Sequence, residues 1–357
     1  MTYIETNELN YELNERDFTA KVVFSENACN DVLIPYSITH LNYVYVITCI
    51  GKESFHRNKN IRSVIFPENT RVQKIEDNAF QFSSIEKIII PPTVTEFGNN
   101  VFEFCKNLQT IKFPPNSPLS SLGKSTFSNT ILDSFEVPSK VTTLQNCTFN
   151  TCEKLKSVTF APNSQLEKIE DNAISYCPIE CITIPQKVTT IEDSWFISLT
   201  KVKKFSISPE NANFSVYNDQ IMVRKTDPKS DIFDIFMMSI RNIEKVIVPS
   251  YIKRISSSCF ADCCSLESIE FSNDSKIESI GSRAFYRCPI RSFVIPSSVV
   301  DLGEGILSDC KRLKFVEFQS NSKLCSIRNN AFYNSVFKGI IVPSSVNCIY
   351  CQAFADC

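Results

Sequence analysis

The sequence contains only two histidines and seven glycines among its 357 residues. Neither His40 nor His56 lies beside a cysteine together with an acid that would orient it, so no Cys–His nucleophile is indicated. The glycines occur singly, which excludes a glycine-rich phosphate-binding loop. Cys348 and Cys351 form one CxxC pair, but a zinc site needs a second pair of ligands. The sequence therefore predicts no catalytic residue, no metal site and no cofactor.

Long apolar runs and clusters of one charge are also lacking. No stretch approaches the roughly 20 apolar residues that a membrane-spanning helix needs. The 37 basic residues nearly balance the 39 acidic ones and no basic run occurs, which argues against nucleic acid or an anionic membrane as the main partner. Residues 1–8 are acidic and lack the apolar core of a signal peptide. This absence predicts a cytoplasmic location.

What the sequence does contain is a repeat. The pattern Leu/Ile-x-x-Ile/Val/Phe-x-Ile/Phe/Val returns every 23 or 24 residues between residues 61 and 342. Two types of unit alternate, because apolar residues follow Ile90 after 4, 7, 12 and 18 positions but follow Phe66 after 6, 9, 14 and 19. Self-similarity at this period is typical of a solenoid, in which each turn buries its apolar side against its neighbours.

The repeated residues resemble a known family. The run Ile184-Pro185-x-x-Val188-x-x-Ile191 and the block Ala284-Phe285-x-x-Cys288 are similar to BspA-like (treponemal-type) leucine-rich repeats, and the likeness covers roughly residues 30–357. A proline follows the strand where the general consensus has Asn/Cys-x-Leu, so no asparagine ladder is expected inside the turns. The resemblance implies a surface antigen or adhesin of the kind found in bacteria and parasitic protists. It therefore implies, as an alternative location, the cell surface reached by a non-standard route.

These observations predict a mainly β leucine-rich-repeat solenoid of about 13 turns with a parallel sheet on the concave side. The Ala-Phe-x-x-Cys blocks are expected to form short helical or 3₁₀ turns on the convex side. Extra residues at 41–46 predict a hairpin-like excursion in the opening turn. One continuous domain is expected, with an N-terminal segment and cap (1–29), a first repeat block (30–207), a projecting β-meander (208–242) and a second repeat block (243–357).

Seven of the sixteen cysteines share one repeat position, three residues after the Phe-type residue of the block, which is Ile174 before Cys177 and Leu307 before Cys310. They are Cys105, Cys152, Cys177, Cys263, Cys288, Cys310 and Cys357. Other turns hold Ser, Thr or Leu there, so we interpret the position as a small, buried packing site with free thiols. A disulfide such as Cys263–Cys288 remains open, because neighbouring strands lie about 5 Å apart.

The exposed row of the predicted sheet is the candidate binding surface. If each strand-closing residue and the residue two before it point inward, the residue between them points outward. In the second half of the chain this outer row alternates aliphatic and acidic residues, with one phenylalanine in the neighbouring row: Ile247, Glu270, Val294, Glu317, Ile341 and Phe315. Two interpretations are open: the aliphatic residues reflect β-propensity, or they bind a protein partner. The second makes the protein a non-enzymatic recognition or adhesion module.

Two further features bear on partners. Trp195 occupies a position held by alanine in other turns, and it is expected to pack against the insertion, to cover the convex side, or to anchor a partner. The last unit has a strand ending at Val342, but no strand pattern follows Phe354. The unpaired apolar edge at residues 340–342 predicts self-association, and a scaffold that stacks through this edge is the alternative function.

Overall fold

The described structure consists of short strands joined by turns and irregular segments. The computed structural model describes residues 2–6 and 8–357. They form a β-solenoid of about 14 turns with parallel sheets, which confirms the predicted fold class. By its contacts the chain divides into unit 1, Met1–Ile179 and Lys187–Leu199, and unit 2, Glu180–Gln186 and Thr200–Cys357. The predicted domain boundaries after residues 29, 207 and 242 remain predictions.

Unit 1 opens with an antiparallel meander followed by a hairpin. Its strands are β1 (Thr2–Ile4), β2 (Asn10–Asn14), β3 (Thr19–Val23), β4 (Asn30–Leu33), β5 (Ser37–His40) and β6 (Tyr43–Ile50). The third strand, β3, pairs in parallel with β6. β5 and β6 are antiparallel, and the turn residues Leu41 and Asn42 have φ angles of 49° and 66°, as a tight hairpin requires. This hairpin confirms the predicted excursion at residues 41–46.

Most later repeats contribute a long strand of three to five residues and then a short strand of two, although the repeat of residues 110–133 has only an isolated bridge at Ser121 in place of the short strand. In chain order these are β7 (Ile61–Ile65), β8 (Lys74–Ile75), β9 (Lys87–Ile89), β10 (Glu96–Phe97), β11 (Thr110–Lys112), β12 (Ser134–Val137), β13 (Thr143–Leu144), β14 (Ser157–Phe160), β15 (Lys168–Ile169), β16 (Cys181–Ile184, in unit 2) and β17 (Thr190–Ile191). The long strands β11, β9, β7 and β4 form one parallel sheet in that order. β12 pairs with β14, and the short strands pair with one another, as in β6-β8-β10 and β13-β15-β17.

A stack of phenylalanine rings fills the core of unit 1. One ring from each of five turns lies parallel to the next, with centroids 5.1–5.7 Å apart. The five residues are Phe55, Phe80, Phe102, Phe127 and Phe149, and all of them are fully buried. Stacking at this distance adds to the area that the rings bury, so the repeated phenylalanine fixes the spacing of the turns.

The predicted helical turns are wrong, because no helix occurs in residues 2–6 and 8–357. Alternate residues of the block donate their backbone N–H to the next turn instead: Asn78 to Asn99, Phe80 to Val101 and Phe82 to Glu103, each at 2.9 Å. Asn78 and Phe82 have φ angles of 58° and 60°. A helix needs negative φ throughout and bonds its N–H groups to carbonyls of its own chain segment. The block therefore links neighbouring turns in the way that a strand does.

Unit 2 contains the insertion of residues 208–242. The strands here are β18 (Lys204–Ile207), β19 (Phe214–Tyr217), β20 (Ile221–Arg224), β21 (Ile235–Ser239), β22 (Lys245–Val248) and β23 (Arg254–Ile255). β19, β20 and β21 form an antiparallel meander. The expectation that it projects from the solenoid is wrong for its third strand, since β21 is buried along its whole length and pairs in parallel with β23.

The remaining repeats of unit 2 follow the same pattern. They supply β24 (Ser268–Phe271), β25 (Ser279–Ile280), β26 (Ser292–Ile295), β27 (Asp301–Leu302), β28 (Phe315–Phe318), β29 (Ser326–Ile327) and β30 (Cys348–Ile349). The strand predicted at residues 340–342 is wrong, because this segment has no strand structure. Gly339 precedes it, and glycine disfavours an extended strand by its conformational freedom.

Candidate protein-binding faces

The predicted outer row of unit 2 is exposed. Ile247 on β22 and Val294 on β26 keep 55% and 39% of their surface. Glu270 on β24 lies opposite Ile247, and Glu317 on β28 lies opposite Val294. The Glu270 carboxylate is 2.7 Å from the Lys245 amine. Each aliphatic side chain is thus separated from the next by an acid.

Three of the predicted residues line one depression in unit 2. Phe315, Glu317 and Ile341 surround a space of about 850 Å³ together with Pro343. Phe315 and Ile341 are 63% and 89% exposed, so both offer apolar surface to solvent. The structure thus brings these predicted residues together, although Ile341 is not part of a strand.

Trp195 is excluded as a surface anchor. It lies in unit 1 with no exposed surface, and its ring centroid is 5.0 Å from that of Phe196. Its indole N–H has no hydrogen-bond partner in the structure. A side chain that is completely enclosed cannot contact a partner, so Trp195 is a core residue.

The sequence interpretation missed an apolar row in unit 1. Leu33 on β4, Ile65 on β7 and Ile89 on β9 are 58%, 48% and 66% exposed and stand on adjacent strands. Lys112 on β11 continues the row opposite Ile89. The sequence did contain a signal of this row, because Ile65 and Ile89 are the first two residues that the repeat places on the outward side of the long strands. The repeat pattern did not identify Leu33 as an outward residue, because the hairpin at residues 41–46 breaks the regular spacing between Leu33 and the next repeat.

Apart from Leu33, these side chains line a groove that we call the unit 1 groove. It encloses about 670 Å³ and is lined by Ile65, Ile89, Lys87, Lys112, Pro67 and Pro92, among other residues of β7, β9 and β11. Asp31 lies at the β4 end, where its carboxylate accepts a hydrogen bond from the Ser63 hydroxyl. At the other end Lys87 and Lys112 are exposed. Within residues 2–6 and 8–357 no ion pair involves either of these two lysines.

The recurring cysteines form no chemical site. All sixteen thiols are free, and of the seven at the repeat position only Cys357 is exposed, as the interpretation of a buried packing site predicts for the others. The Cys105 Sγ donates a hydrogen bond to the Phe80 carbonyl at 3.0 Å, and Cys310 does so to Phe285 at 3.2 Å. Burial raises the pKa of both thiols to about 12. The nucleophilic thiolate is therefore disfavoured.

Two other kinds of site are absent from the part of the chain that the structure describes. No group of three or more His, Cys, Asp or Glu side chains is arranged to hold a metal ion there. No helix of those residues has the length and apolar character needed to cross a membrane.

Comparison with known proteins agrees with this architecture. The family profile described as BspA type Leucine rich repeat region, in six copies, matches residues 24–156, 120–218 and 232–357. No match was found among curated protein sequences.

Solved structures show the same fold. A leucine rich cell surface protein from Faecalibacterium prausnitzii is 22% identical with a TM-score of 0.69, covering 99% of this chain and 86% of that one. The pneumococcal vaccine antigen PcpA is 19% identical with a TM-score of 0.65, covering 99% and 94%. A leucine-rich repeat protein from Bacteroides ovatus is 21% identical with a TM-score of 0.65, covering 99% and 92%. At these identities the likeness establishes the fold alone.

Proposed function

We propose that this chain, which belongs to the family of BspA type leucine-rich repeat proteins, is a non-enzymatic module that recognises proteins through the exposed faces of its long strands. The observation that carries the proposal is the apolar row at the unit 1 groove: Ile65 and Ile89 line the groove, and Leu33 continues the row on the adjacent strand β4. Contiguous exposed apolar surface with a polar rim is typical of protein interaction sites.

The face of unit 2 is a second part of the proposed surface. Ile247, Val294 and Ile341 are exposed there, with Glu270 and Glu317 between them. Neighbouring strands lie about 4.8 Å apart, so aliphatic residues two strands apart stand roughly 10 Å from each other. Such a spaced row is a separate candidate surface for contacts with a protein partner.

A more specific version of the proposed recognition function is adhesion at a cell surface. The structures from F. prausnitzii and the pneumococcus are named as a cell surface protein and a vaccine antigen, which supports it by likeness. A cytoplasmic location is the competing proposal. An antibody against the chain distinguishes them, because it labels intact cells if the protein is at the surface and only permeabilised cells if it is inside.

The experiment that tests recognition compares two aspartate substitutions in the outer row. A partner captured by the wild-type chain is expected to be lost with Ile89→Asp, since a charge then occupies the centre of the apolar row. Thr159→Asp on β14 is the matched control, because Thr159 is also an exposed residue of the outer row but has no aliphatic neighbours in it. Equal capture by the two variants, with unchanged circular dichroism, would contradict the proposal.

Self-association is a second candidate function. Ile341, Ile349 and Tyr350 are 89%, 51% and 52% exposed, which leaves apolar surface in the last repeat of unit 2. Contact between copies through this surface would support a scaffold role. Light scattering after size exclusion tests it: a wild-type oligomer that becomes monomeric with Ile349→Asp supports the scaffold, whereas a wild-type monomer at high concentration opposes it.

A further inference from the structure

We propose that the unit 1 groove receives an amphipathic α-helix of a protein partner, with the C-terminal end of that helix over Lys87 and Lys112. The inference rests on the recognition function proposed above and names the kind of partner. Its evidence is the spacing of the apolar row and the separation of charge along the groove.

The row has the spacing of a helix face. Leu33 lies opposite Ile65, Val64 lies opposite Ile88, and Ile89 lies opposite Lys112, so the outward residues stand in register across four strands. At about 4.8 Å per strand, the three aliphatic side chains span about 10 Å. On a helix, residues i, i+4 and i+7 span about 10.5 Å along the axis. One helix lying across the strands therefore meets all three side chains at once.

An extended peptide does not fit the same row. Side chains on one face of a strand recur about every 6.8 Å, so a peptide lying across the strands falls about 2 Å out of step at the first neighbour and about 4 Å at the second. Pairing with the sheet edge is a different geometry, which would use backbone groups and not this row. The aliphatic row thus favours a helix over an extended peptide.

Charge fixes the direction of the helix. Asp31 stands at the β4 end of the groove, and Lys87 and Lys112 stand on β9 and β11. A helix carries partial positive charge at its N-terminus and partial negative charge at its C-terminus. Its N-terminus is therefore favoured near Asp31 and its C-terminus near the two lysines. Lys112, one strand beyond Ile89, also lies where it can pair with an acidic residue about one turn after the last aliphatic residue of the helix.

The test uses designed peptides and the full chain. The probe is a capped, fluorescent, alanine-rich peptide of about 18 residues with leucines at i, i+4 and i+7 and glutamate at i+11. One control peptide replaces a central alanine by proline, which breaks the helix. The other has the same composition in scrambled order. Fluorescence anisotropy measures the dissociation constant of each.

The helical probe is expected to bind, and both control peptides are expected to bind at least about tenfold more weakly. Ile89→Asp should weaken the probe by at least about tenfold, whereas Thr159→Asp, at an exposed outer-row position without aliphatic neighbours, should leave it unchanged. Lys112→Glu should weaken the probe, and a peptide with lysine in place of the glutamate should bind this variant better than the wild type. Recovery by the charge exchange also shows that the variant remains folded.

Other outcomes overturn the inference. Equal binding of the proline and helical peptides would point to an extended partner. A wild-type dimer that Ile89→Asp dissociates would show that a second copy of this chain occupies the groove. If no peptide binds but Ile89→Asp still abolishes capture of a native partner, the helix is wrong while the recognition function stands. If capture also survives Ile89→Asp, the proposed function itself fails at this groove.

Discussion

At the scale of single residues, the recurring cysteine position holds a small hydrogen-bond donor, Cys, Ser or Thr, in most turns, although Leu199 occupies it in one. The Cys288 thiol donates to the Phe260 carbonyl at 3.0 Å, and the Ser335 hydroxyl donates to the Leu307 carbonyl at 2.6 Å. Both donors are buried, so the carbonyl they meet has no access to water. The sequence correctly indicated a small buried residue, but which carbonyl it meets depends on how neighbouring turns stack.

Two substitutions of Cys288 distinguish the contribution of its hydrogen bond to stability from the contribution of its packing. Ala and Ser are both smaller than Cys, but only Ser donates a hydrogen bond to the Phe260 carbonyl. Cys288→Ala is therefore expected to be about 1 kcal/mol less stable than Cys288→Ser in urea unfolding. An alanine variant as stable as the serine variant would show that the position is purely apolar.

The buried thiols also predict how stability changes with pH. An ordinary thiol ionises near pH 8.5, whereas Cys105 and Cys310 have pKa values of about 12 in the folded chain. Between these values the unfolded state loses protons that the folded state keeps, so the stability present below about pH 8.5 falls as the pH rises towards 12. Urea unfolding at several pH values should show a steeper fall for wild type than for Cys105→Ser/Cys310→Ser. Parallel curves for the two proteins would contradict the prediction.

Glycine at residue 303 permits close contact between turns. A Cβ there would lie 2.2 Å from the Ser282 backbone nitrogen, whereas a Cβ at Gly339 would meet no atom within 4 Å. Gly303→Ala is expected to cost about 1–3 kcal/mol by overpacking. Gly339→Ala, the matched control, should change stability by about 0.5 kcal/mol or less. Similar urea midpoints for both variants would mean that the turns separate easily at this point.

At the scale of elements, the strands were predictable and the turns between them were not. The long strands follow the alternation of apolar residues, which the sequence shows directly. The turn blocks were expected to form short helical or 3₁₀ turns, and they do not. Asn78, Asn100 and Asn330 have φ angles of 55–58°, and asparagine is enriched at such angles, so this residue was the overlooked signal. The absence of a strand at residues 340–342 was harder to foresee, because the apolar pattern of the repeat continues there and only the preceding Gly339 departs from it.

The meander of unit 2 is part of the core of that unit. Phe236 on β21 is fully buried, with ring centroids 5.5 Å from Tyr217 on β19 and 6.3 Å from Phe260 in the following repeat. The same arrangement occurs at the start of unit 1, where the third strand of a meander pairs in parallel with a strand of the repeats. In each unit, a meander therefore covers the end of a row of short strands that would otherwise be unpaired.

Phe236→Ala tests this role. The substitution leaves a cavity between the meander and the next repeat, and it is expected to destabilise unit 2 by about 3–5 kcal/mol. Ile232→Ala is the control, because Ile232 is 54% exposed in the same insertion and should cost about 0.5 kcal/mol or less. Hydrogen exchange should show faster exchange in β23 and β25 with Phe236→Ala. Faster exchange confined to residues 208–242 would mean that the insertion folds apart from the repeats.

At the scale of the whole molecule, the repeat predicted the solenoid and the family, but not the more continuous apolar face. The outer row of unit 2 could be read from the sequence because its repeats are uninterrupted. The row of unit 1 needed the register between β4 and β7, which pairs Leu33 with Ile65 across a hairpin that breaks the period. A pattern of single repeats gives the direction of each side chain, whereas a binding face depends on which strands become neighbours.

The central claim is that partners bind at the groove of unit 1. Photo-crosslinking tests it most directly, with a benzophenone amino acid placed at position 89 in the groove and, as a control, at position 176. Tyr176 is 52% exposed and lies in a turn, away from the long strands, so both positions are open to solvent. We predict a discrete protein adduct from position 89 and none from position 176. The yield of the adduct should fall when unlabelled wild-type chain is added as a competitor. Equal adducts from both positions, or an adduct from position 176 alone, would contradict it.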